Sequence, residues 1–390
     1  MKIFEIGTGY TPIPAKMGAA TEIVVEQLTR SFMNIGQDAT IIDIKAQNRE
    51  KTDLPIIEVS VPKIFTKTDV SLGVMHKLKR VVYSLSLSKT LKDIIKKSDE
   101  NIVLHFHNQY NLYFFLKLVP KKLREKVKIA YTVHSYIWGA HWNDIKDTVK
   151  KRYFQEIFCV KNADTVFVLN EITTDHFVTK LGIDKNKIKK IINGVNTKTY
   201  APKSADAIAR LKKANNLENM RVVFQVGSVC DRKNQLGTAK MLCEYLKENK
   251  DVVFMYAGGI IDSDYFEQIK AFAKENAIEN QIRYVGELSP GEELSDFYAM
   301  SDCSVFSSSL ESFGLVVLEA ISSGKTVVVA DKLMFNLDTG YEVYSTKEEF
   351  VDKVDAILCG TLINDGRQEV VEKYDWDVVA KEHAELFANK

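Results

Sequence analysis

The amino-acid sequence predicts an α/β protein with two doubly wound domains in series. Short apolar runs alternate with stretches of helical period along the whole chain, which is typical of βαβ units stacked into parallel sheets. The length of 390 residues is sufficient for two domains that each bury a core of their own. The charge also changes sign near residue 200: residues 1–200 contain 32 Lys and Arg and 20 Asp and Glu, whereas residues 201–390 contain 21 and 32.

Ten apolar runs are predicted to form the strands of the two sheets. They lie at 2–7, 39–43, 102–106, 128–133, 165–169, 222–226, 252–257, 282–285, 303–306 and 326–330. The stretch 21–36 is predicted to be a helix, because one face of it is largely apolar and Gly36 follows as a stop signal. We place the domain boundary at residue 200, beside the Asn-Gly pair and the proline of segment 192–204.

The composition excludes several classes of protein. With 45% hydrophobic and 27% charged residues, the chain is neither wholly disordered nor collagen-like. Its five cysteines form no C-x-x-C pair and no zinc-type spacing, which is typical of a reduced, cytosolic protein. The longest apolar stretch, 111–119, is far shorter than the ~18 residues that a transmembrane helix needs. We therefore expect a cytoplasmic protein.

Segment 302–330 is the sharpest candidate for a functional site. It is predicted to form strand, polar loop, helix, turn and strand, with Glu311 in the loop and Glu319 on the helix, about 12 Å apart along the axis. Carboxylates at this separation can bracket an elongated ligand, and the helix start between them offers free N–H groups to a phosphate. Alternatively, Glu311 only stabilises the helix start and Glu319 is solvated. Because Glu319 lies among apolar residues, however, it should need a hydroxyl, amide or cation as partner.

Two further groups of residues follow predicted strands. Arg232 and Lys233 come shortly after Gly227 and can form charge-assisted bonds to phosphate oxygens, although two exposed cations in a turn are an equal alternative. His134 ends an apolar strand and so lies at the sheet edge where α/β proteins bind ligands, although a lone histidine at such a position is more often a hydrogen-bonded structural residue.

No metal site is expected. His105 and His107 alternate along one strand and point to one face, but no third ligand of suitable spacing follows them, so we assign them to packing and to the inter-domain cleft. The Asp262-Ser263-Asp264 tripeptide resembles a metal-binding motif, yet it lies at a predicted helix start. There Asp262 is expected to act as a capping residue.

The motif E-S-F-G-L-V-V-L-E-A at 311–320, with S-G-K-T-V-V-V at 323–329, resembles the E-x₇-E segment of family-4 retaining glycosyltransferases of the GT-B fold. Other segments resemble that family in the same order. They are the Gly-loop and helix at 11–28, H-F-H-N at 105–108, T-V-H-S at 132–135, the hinge I-N-G-V-N-T-K-T-Y at 192–200 and the closing helix Y-D-W-D-V-V-A-K-E-H at 374–383.

The resemblance implies two Rossmann-like domains that face each other across a cleft. Residues 1–200 would bind the acceptor, residues 201–370 would bind a nucleotide-diphospho-sugar, and the last helix, 371–390, would cross back to the first domain. It further implies transfer of a hexosyl-type sugar with retention of configuration, without metal or cofactor, to a glycan, lipid-linked or small-molecule acceptor, as in polysaccharide biosynthesis.

The resemblance also assigns roles to individual residues. Glu311 and His134 would contact the donor hexose, and Glu319 the ribose. The remaining donor-binding positions would be Gly18, Arg232, Lys233, Ser312, Phe313, Gly314 and Leu315. Two departures affect the donor site: Ser228 replaces the usual arginine, for which Arg232 is a candidate substitute, and the usual Gly-Gly-x-x-Glu loop is missing after Asp331.

The positive first half suggests an anionic partner. Segment 77–97 is predicted to be a basic amphipathic helix that lies on an anionic membrane surface, with a core-facing helix as the alternative. Its apolar face would consist of Leu78, Val82, Leu85, Leu91, Ile94 and Ile95. Nucleic acid is a poorer partner, because the basic stretch lacks interleaved aromatic residues. Two other functions stay open, a nucleotide-sugar epimerase and a non-catalytic partner protein of the same fold.

Overall fold

The computed structural model describes residues 1–14, 20–66, 74–311, 313–331 and 337–388, and in it the chain forms two compact units. Of the described residues, unit 1 contains those up to Asn193 together with the segment that begins at Trp376, and unit 2 contains Gly194–Asp375. The chain thus passes from unit 1 to unit 2 a few residues before residue 200.

The sheet of unit 1 has seven described strands, which are all parallel. They are β1 (Lys2–Ile6), β2 (Asp38–Ile44), β3 (Ile56–Val59), β4 (Ile102–Phe106), β5 (Val127–Thr132), β6 (Thr165–Val168) and β7 (Ile188–Lys190), in the spatial order β3-β2-β1-β4-β5-β6-β7. The five predicted strands are present. Strands β3 and β7 escaped prediction because they lie at the two edges, where half-exposed strands carry no continuous apolar run.

Helices cover this sheet. They are α1 (Ala20–Asn34), α2 (Val74–Lys97), α3 (Gln109–Leu118), α4 (Lys121–Arg124), α5 (Asp147–Arg152), α6 (Phe154–Asn162) and α7 (Glu171–Asp175). On α1, Val24, Leu28 and Phe32 are buried, as the predicted helical face requires.

The apolar face predicted for α2 is wrong in part. Leu91 and Ile95 are buried in the core of unit 1, but with Tyr83 and Leu87 rather than with Leu78 and Leu85, which are exposed. The helix therefore carries two apolar faces. The sequence pattern merged them because residues of both faces recur at helical spacing within one long basic segment.

Unit 2 contains a second parallel sheet of six described strands. These are β8 (Arg221–Val226), β9 (Val252–Ala257), β10 (Ile282–Tyr284), β11 (Cys303–Phe306), β12 (Val327–Ala330) and β13 (Tyr341–Tyr344), in the order β10-β9-β8-β11-β12-β13. The edge strand β13 was not predicted, since its outer residues are half-exposed. The accompanying helices are α8 (Ala205–Ala214), α9 (Gln235–Glu248), α10 (Ser263–Glu275), α11 (Glu292–Met300), α12 (Leu315–Ser322), α13 (Lys347–Leu358) and α14 (Arg367–Tyr374).

The final helix, α15 (Trp376–Ala388), belongs to unit 1, as the crossing helix was expected to do. It packs on α1, where the rings of Phe32 and Phe387 lie 6.0 Å apart, and His383 lies 4.5 Å from the ring of Phe167. The predicted single helix 371–390 is instead divided at Asp375. At this position Val195 forms a β-bridge with Asp375, and the Val195 N–H donates to the Tyr374 carbonyl at 2.8 Å. The two places where the chain passes from one unit to the other therefore lie side by side.

Both sheets are doubly wound, because the strand order reverses between β1 and β4 in unit 1 and between β8 and β11 in unit 2. At such a switch point the connections leave in opposite directions and open a crevice at the carboxyl ends of the strands, where ligands bind. The helices within the described ranges include none that is both long enough and apolar enough to cross a membrane.

Candidate active site

The switch point of unit 2 begins with a tight glycine turn after β8. Gly227 has a φ of +153°, and a Cβ there would come within 3.0 to 3.3 Å of three side-chain carbons of Lys233. Gly258, at the end of β9, lies so close to Gly227 that a Cβ on Gly258 would lie 2.2 Å from the Gly227 carbonyl oxygen. Both positions require glycine: Gly227 lets the stem of Lys233 lie directly over the backbone, and Gly258 lets its own backbone pack against that of Gly227.

A 3₁₀ turn at Asp231–Lys233 joins this glycine turn to the loop after β11. The buried Gln225 donates its amide to the Lys233 carbonyl at 2.7 Å. From the other side, the Ser309 N–H donates to the Arg232 carbonyl at 2.8 Å, and the Arg232 guanidinium donates to the Leu310 carbonyl at 3.1 Å. Gln225 was missed from sequence, because a single glutamine in an apolar strand gives no sign of its partner.

Arg232, Lys233 and Glu311 meet in one group, which we call the cation cluster. Glu311 Oε1 lies 2.5 Å from Arg232 Nη1 and 2.6 Å from Lys233 Nζ. The side chains of Lys233 and Glu311 are 13% and 12% exposed, and that of Arg232 is 32% exposed. Two cations thus share one carboxylate in a partly buried place, and the three side chains together carry a formal charge of +1. The sequence predicted all three residues for the site but not their mutual contact.

The helix start between the two acids consists of Phe313, Gly314 and Leu315. Gly314 adopts a φ of +91° as the N-cap, and α12 begins at Leu315. The Val317 N–H already donates to the Gly314 carbonyl at 3.0 Å, and Phe313 is buried. Phe313 therefore packs in the interior, and the Val317 N–H is used within the start of the helix. Ser312 and Gly18, also predicted for the donor site, lie outside the described residues.

Glu319 has the hydroxyl partner that its apolar surroundings require. Its Oε2 accepts a hydrogen bond from the Tyr298 hydroxyl at 3.1 Å, so the prediction of such a partner is confirmed. Desolvation raises the pKa of Glu319 to about 7, against the opposing effect of the Tyr298 and Tyr200 hydroxyls. The carboxyl group therefore changes charge close to neutral pH.

The switch point of unit 1 carries a second group, the imidazole cluster of Glu5, His105, His107 and His134. Glu5 Oε1 lies 2.8 Å from His105 Nδ1, and Glu5 Oε2 lies 2.6 Å from His107 Nε2. His107 Nδ1 in turn lies 3.0 Å from His134 Nε2, and the two rings are stacked at 26°. On the opposite side of its ring, His105 Nε2 lies 2.7 Å from the Thr132 hydroxyl oxygen.

Burial and the contacts between the side chains together determine which groups of this cluster are charged. Burial alone would raise the pKa of Glu5, but the charges and hydrogen bonds of His105 and His107 lower it to about 2. Desolvation lowers the pKa of His107 to about 4 and that of His134 well below its usual value. At neutral pH the cluster thus holds one carboxylate and neutral imidazoles at His107 and His134.

The expectation that no third ligand accompanies His105 and His107 is wrong. Glu5 offers an oxygen, and the three ligand atoms lie within 4.8 Å of one another. Sequence reasoning missed Glu5 because it appeared only as an interruption of the first apolar strand. The available signal was an acid inside a buried strand, which pairs in register with His105. Since both oxygens of Glu5 accept hydrogen bonds from imidazole N–H groups, the three side chains form one hydrogen-bonded unit.

Asp262 caps a helix, as predicted. Its Oδ1 accepts from the Tyr265 N–H at 2.9 Å at the start of α10. The carboxylate is thereby engaged by the backbone, which is the ordinary use of aspartate at this position.

Comparison with known protein families identifies the chain. Residues 21–199 match the family model described as "Glycosyltransferase Family 4", and residues 207–359 match "Glycosyl transferases group 1". The chain belongs to the family-4 type of GT-B glycosyltransferases. The first match lies in unit 1 except for residues 194–199, and the second lies in unit 2, so the two matches follow the division of the chain into two sheets.

Individual relatives of this glycosyltransferase are distant. An uncharacterized glycosyltransferase of Methanocaldococcus jannaschii is 21% identical over 304 residues, which cover 74% of this chain and 75% of the relative. The alpha-galactosylglucosyldiacylglycerol synthase of Streptococcus pneumoniae is 25% identical over 260 residues, 65% of this chain and 67% of the relative. The crystal structure of Anabaena HepE in complex with UDP and glucose superposes with a TM-score of 0.73 over 100% of both chains at 15% identity, which shows the same fold.

Proposed function

We propose that this glycosyltransferase moves a hexosyl-type sugar from a nucleotide-diphospho-sugar to an acceptor with retention of configuration and without metal or cofactor. The observation that carries the proposal is the cation cluster at the switch point of unit 2, where Arg232 and Lys233 exceed the charge of Glu311. The HepE structure, which has the same fold, contains UDP and glucose. A nucleotide-sugar donor in unit 2 fits both facts.

The leaving group makes the largest electrostatic demand of this reaction. When the bond between the sugar and the diphosphate breaks, its electron pair stays on the diphosphate oxygen, which becomes more negative. Lys233 and Arg232 would receive this charge. Because Lys233 is mostly shielded from water, its attraction to a phosphate oxygen is screened less than that of a surface lysine.

Glu311 and the diphosphate are anions that would share the same two cations. In our proposal the diphosphate takes over the contacts of Arg232 and Lys233, and the Glu311 carboxylate then accepts hydrogen bonds from hydroxyls of the sugar. Glu319 would accept from ribose hydroxyls in its ionised form, and His134 of unit 1 would bond a hydroxyl of the transferred sugar. Arg232 would supply the charge that Ser228 does not.

Product analysis with a panel of nucleotide sugars tests the proposed reaction. We expect transfer or slow hydrolysis with one donor, and ¹H NMR of the first product should show the anomeric configuration of that donor. An inverted product would contradict retention. A rearranged nucleotide sugar formed without any acceptor would identify an epimerase instead, and the failure of every nucleoside diphosphate to bind in calorimetry would identify a non-catalytic protein.

The proposed acceptor side includes an anionic membrane surface. Along the outward face of α2, Met75, Leu78, Val81 and Leu85 are exposed and form an outer stripe. Lys89 and Lys96 continue the same face towards the end of the helix and are also exposed. An apolar stripe followed by lysines on one helical face is the arrangement that inserts between anionic lipid headgroups. A lipid-linked acceptor would be reached from such a position.

Vesicle binding tests this surface. The protein should sediment with phosphatidylcholine vesicles that contain phosphatidylglycerol and much less with pure phosphatidylcholine, and high salt should reduce the binding. Replacing Leu78 and Leu85 together by glutamate should abolish it, whereas Ile363→Glu at another exposed apolar position should not. Equal binding by both variants would exclude the outer stripe as the contact.

A further inference from the structure

The contacts of the imidazole cluster determine where its protons lie. A carboxylate can only accept hydrogen bonds, so each imidazole nitrogen that faces Glu5 must carry a proton. His107 therefore has its proton on Nε2, 2.6 Å from Glu5 Oε2, and has a lone pair on Nδ1. That lone pair faces His134 Nε2 at 3.0 Å, and a bond between two nitrogens needs one proton. The proton must then belong to His134.

The second branch is consistent with the same assignment. His105 Nδ1 faces the other oxygen of Glu5 at 2.8 Å and must donate to it. The Thr132 hydroxyl oxygen lies 2.7 Å from His105 Nε2 and completes the hydrogen bonding of this ring. The branch from Glu5 through His107 to His134 needs only one carboxylate and two neutral imidazoles, so it requires no further proton or cation.

We propose that Glu5 is a positioning residue which, through His107, holds His134 as the Nε2–H tautomer and presents its Nδ1 lone pair to the substrate. The inference rests on the proposed function, in which His134 contacts the transferred sugar. It deepens that function by stating what His134 can bind. A lone pair accepts a hydrogen bond from a hydroxyl and repels a carboxylate, so the sugar carries a hydroxyl and not an acid at this position.

The geometry of the sheet supports a positioning role. Glu5 and His105 are register partners on β1 and β4, and Glu5, His105 and His107 are all buried, whereas His134 is only partly buried at the end of β5. A buried anion thus anchors a chain of hydrogen bonds whose last member reaches the sheet edge. Removing the outer partner that orients a metal-ligating histidine typically costs about 10- to 100-fold in affinity or activity, and we expect an effect of the same order for Glu5.

The experiment measures tautomers and kinetics in the same variants. In ¹H–¹⁵N spectra of protein labelled at its histidines, the signals of His134, assigned by their loss in His134→Asn, should show a protonated Nε2 and an unprotonated Nδ1. In Glu5→Leu, His134 should no longer keep a single tautomer, and kcat should fall by roughly tenfold or more with a smaller change in the donor KM. Leucine is chosen because the amide oxygen of glutamine could still accept the proton of His107.

Thr132→Val is the matched control, because it removes a partner of His105 and leaves the branch from Glu5 to His134 intact. This variant should keep both the tautomer of His134 and kcat. The inference is overturned if wild-type His134 carries its proton on Nδ1, or if Glu5→Leu leaves the tautomer unchanged. If the tautomer changes as described but kcat does not, the role of Glu5 stands and the proposed contact of His134 with the sugar is wrong. The wild-type spectrum decides the assignment even if Glu5→Leu does not fold.

Discussion

The two switch points use charge in opposite ways. The cation cluster of unit 2 pairs two cations with one carboxylate and is partly open to water, so it retains attraction for a further anion. In the imidazole cluster of unit 1, the buried Glu5 carboxylate accepts hydrogen bonds from the buried rings of His105 and His107. The first arrangement suits binding, and the second suits orientation. Excess charge at a partly exposed place marks a ligand site, whereas an internally balanced group fixes the geometry of its neighbours.

Glu311→Gln should have the largest effect of the substitutions at the cation cluster. We expect the rate of transfer to fall by about 10²-fold or more, because a neutral amide stabilises the sugar in the transition state less than a carboxylate does. The affinity for a nucleoside diphosphate should stay equal or rise, since an anion that competes for Arg232 and Lys233 is removed. Initial rates and calorimetric titration measure the two quantities. Glu275→Gln, on the exposed side of α10, is the control. Loss of diphosphate affinity would mean that Glu311 holds the cations in place.

Lys233→Gln should weaken nucleoside diphosphate binding by ~1.5–3 kcal/mol, the contribution of a charged hydrogen bond. Arg232→Gln should cost less, because the more exposed guanidinium is better screened by water. Calorimetric titration at fixed salt measures both, with Lys240→Gln on the surface of α9 as control. If Arg232→Gln loses as much nucleoside diphosphate affinity as Lys233→Gln, or more, Arg232 fully replaces the arginine that is absent at Ser228.

Glu319 should make stability and donor affinity depend on pH. Its pKa is about 7 in the folded protein, above the ordinary value of 4.5, so between these pH values the folded state binds more protons than the unfolded state. The free energy of unfolding should therefore fall as the pH rises from about 4.5 through 7, and Glu319→Gln should remove this component in denaturant titrations. Donor affinity should rise over the same range, because the ionised carboxylate is the better acceptor. If Glu319→Gln keeps the wild-type pH dependence of the free energy of unfolding and of donor affinity, both expectations are refuted.

The smallest expected effect is that of a chelator. If Arg232 and Lys233 receive the leaving group, exhaustive dialysis against EDTA should leave the transfer rate unchanged, and added Mg²⁺ or Mn²⁺ should not increase it. Steady-state rates before and after treatment check this. A loss of activity that a divalent cation restores would contradict the metal-independent mechanism.

The comparison of the two clusters also explains what could be predicted from sequence. Arg232, Lys233, Glu311 and Glu319 could be selected from the sequence because they are charged residues at a motif-like spacing after apolar strands. Glu5 was not recognised, because its function depends on β4, about a hundred residues further along the chain, which lies beside β1 in the sheet. Local pattern carries no information on such pairing.

The same limit applies to the fold. All ten predicted strands are present, and nine of them are buried central strands with continuous apolar runs, whereas the tenth, β10, is a half-exposed edge strand. The other edge strands, β3, β7 and β13, carry no such run and were missed, since each is partly exposed to water. The outward face of α2 was misassigned for a related reason, because a helical period reveals spacing but not which of two apolar faces the core covers.

The place of α15 has a consequence for biosynthesis. The described residues of unit 2 run without interruption from Gly194 to Asp375, so its core is complete as soon as Asp375 has left the ribosome. Unit 1 begins earlier but lacks α15, whose Phe387 and His383 cover Phe32 and Phe167, until translation has passed Ala388. Domains generally fold as units during synthesis, so the second unit should mature before the first. The nascent first unit keeps an apolar surface uncovered in the meantime, which is a natural binding surface for a chaperone.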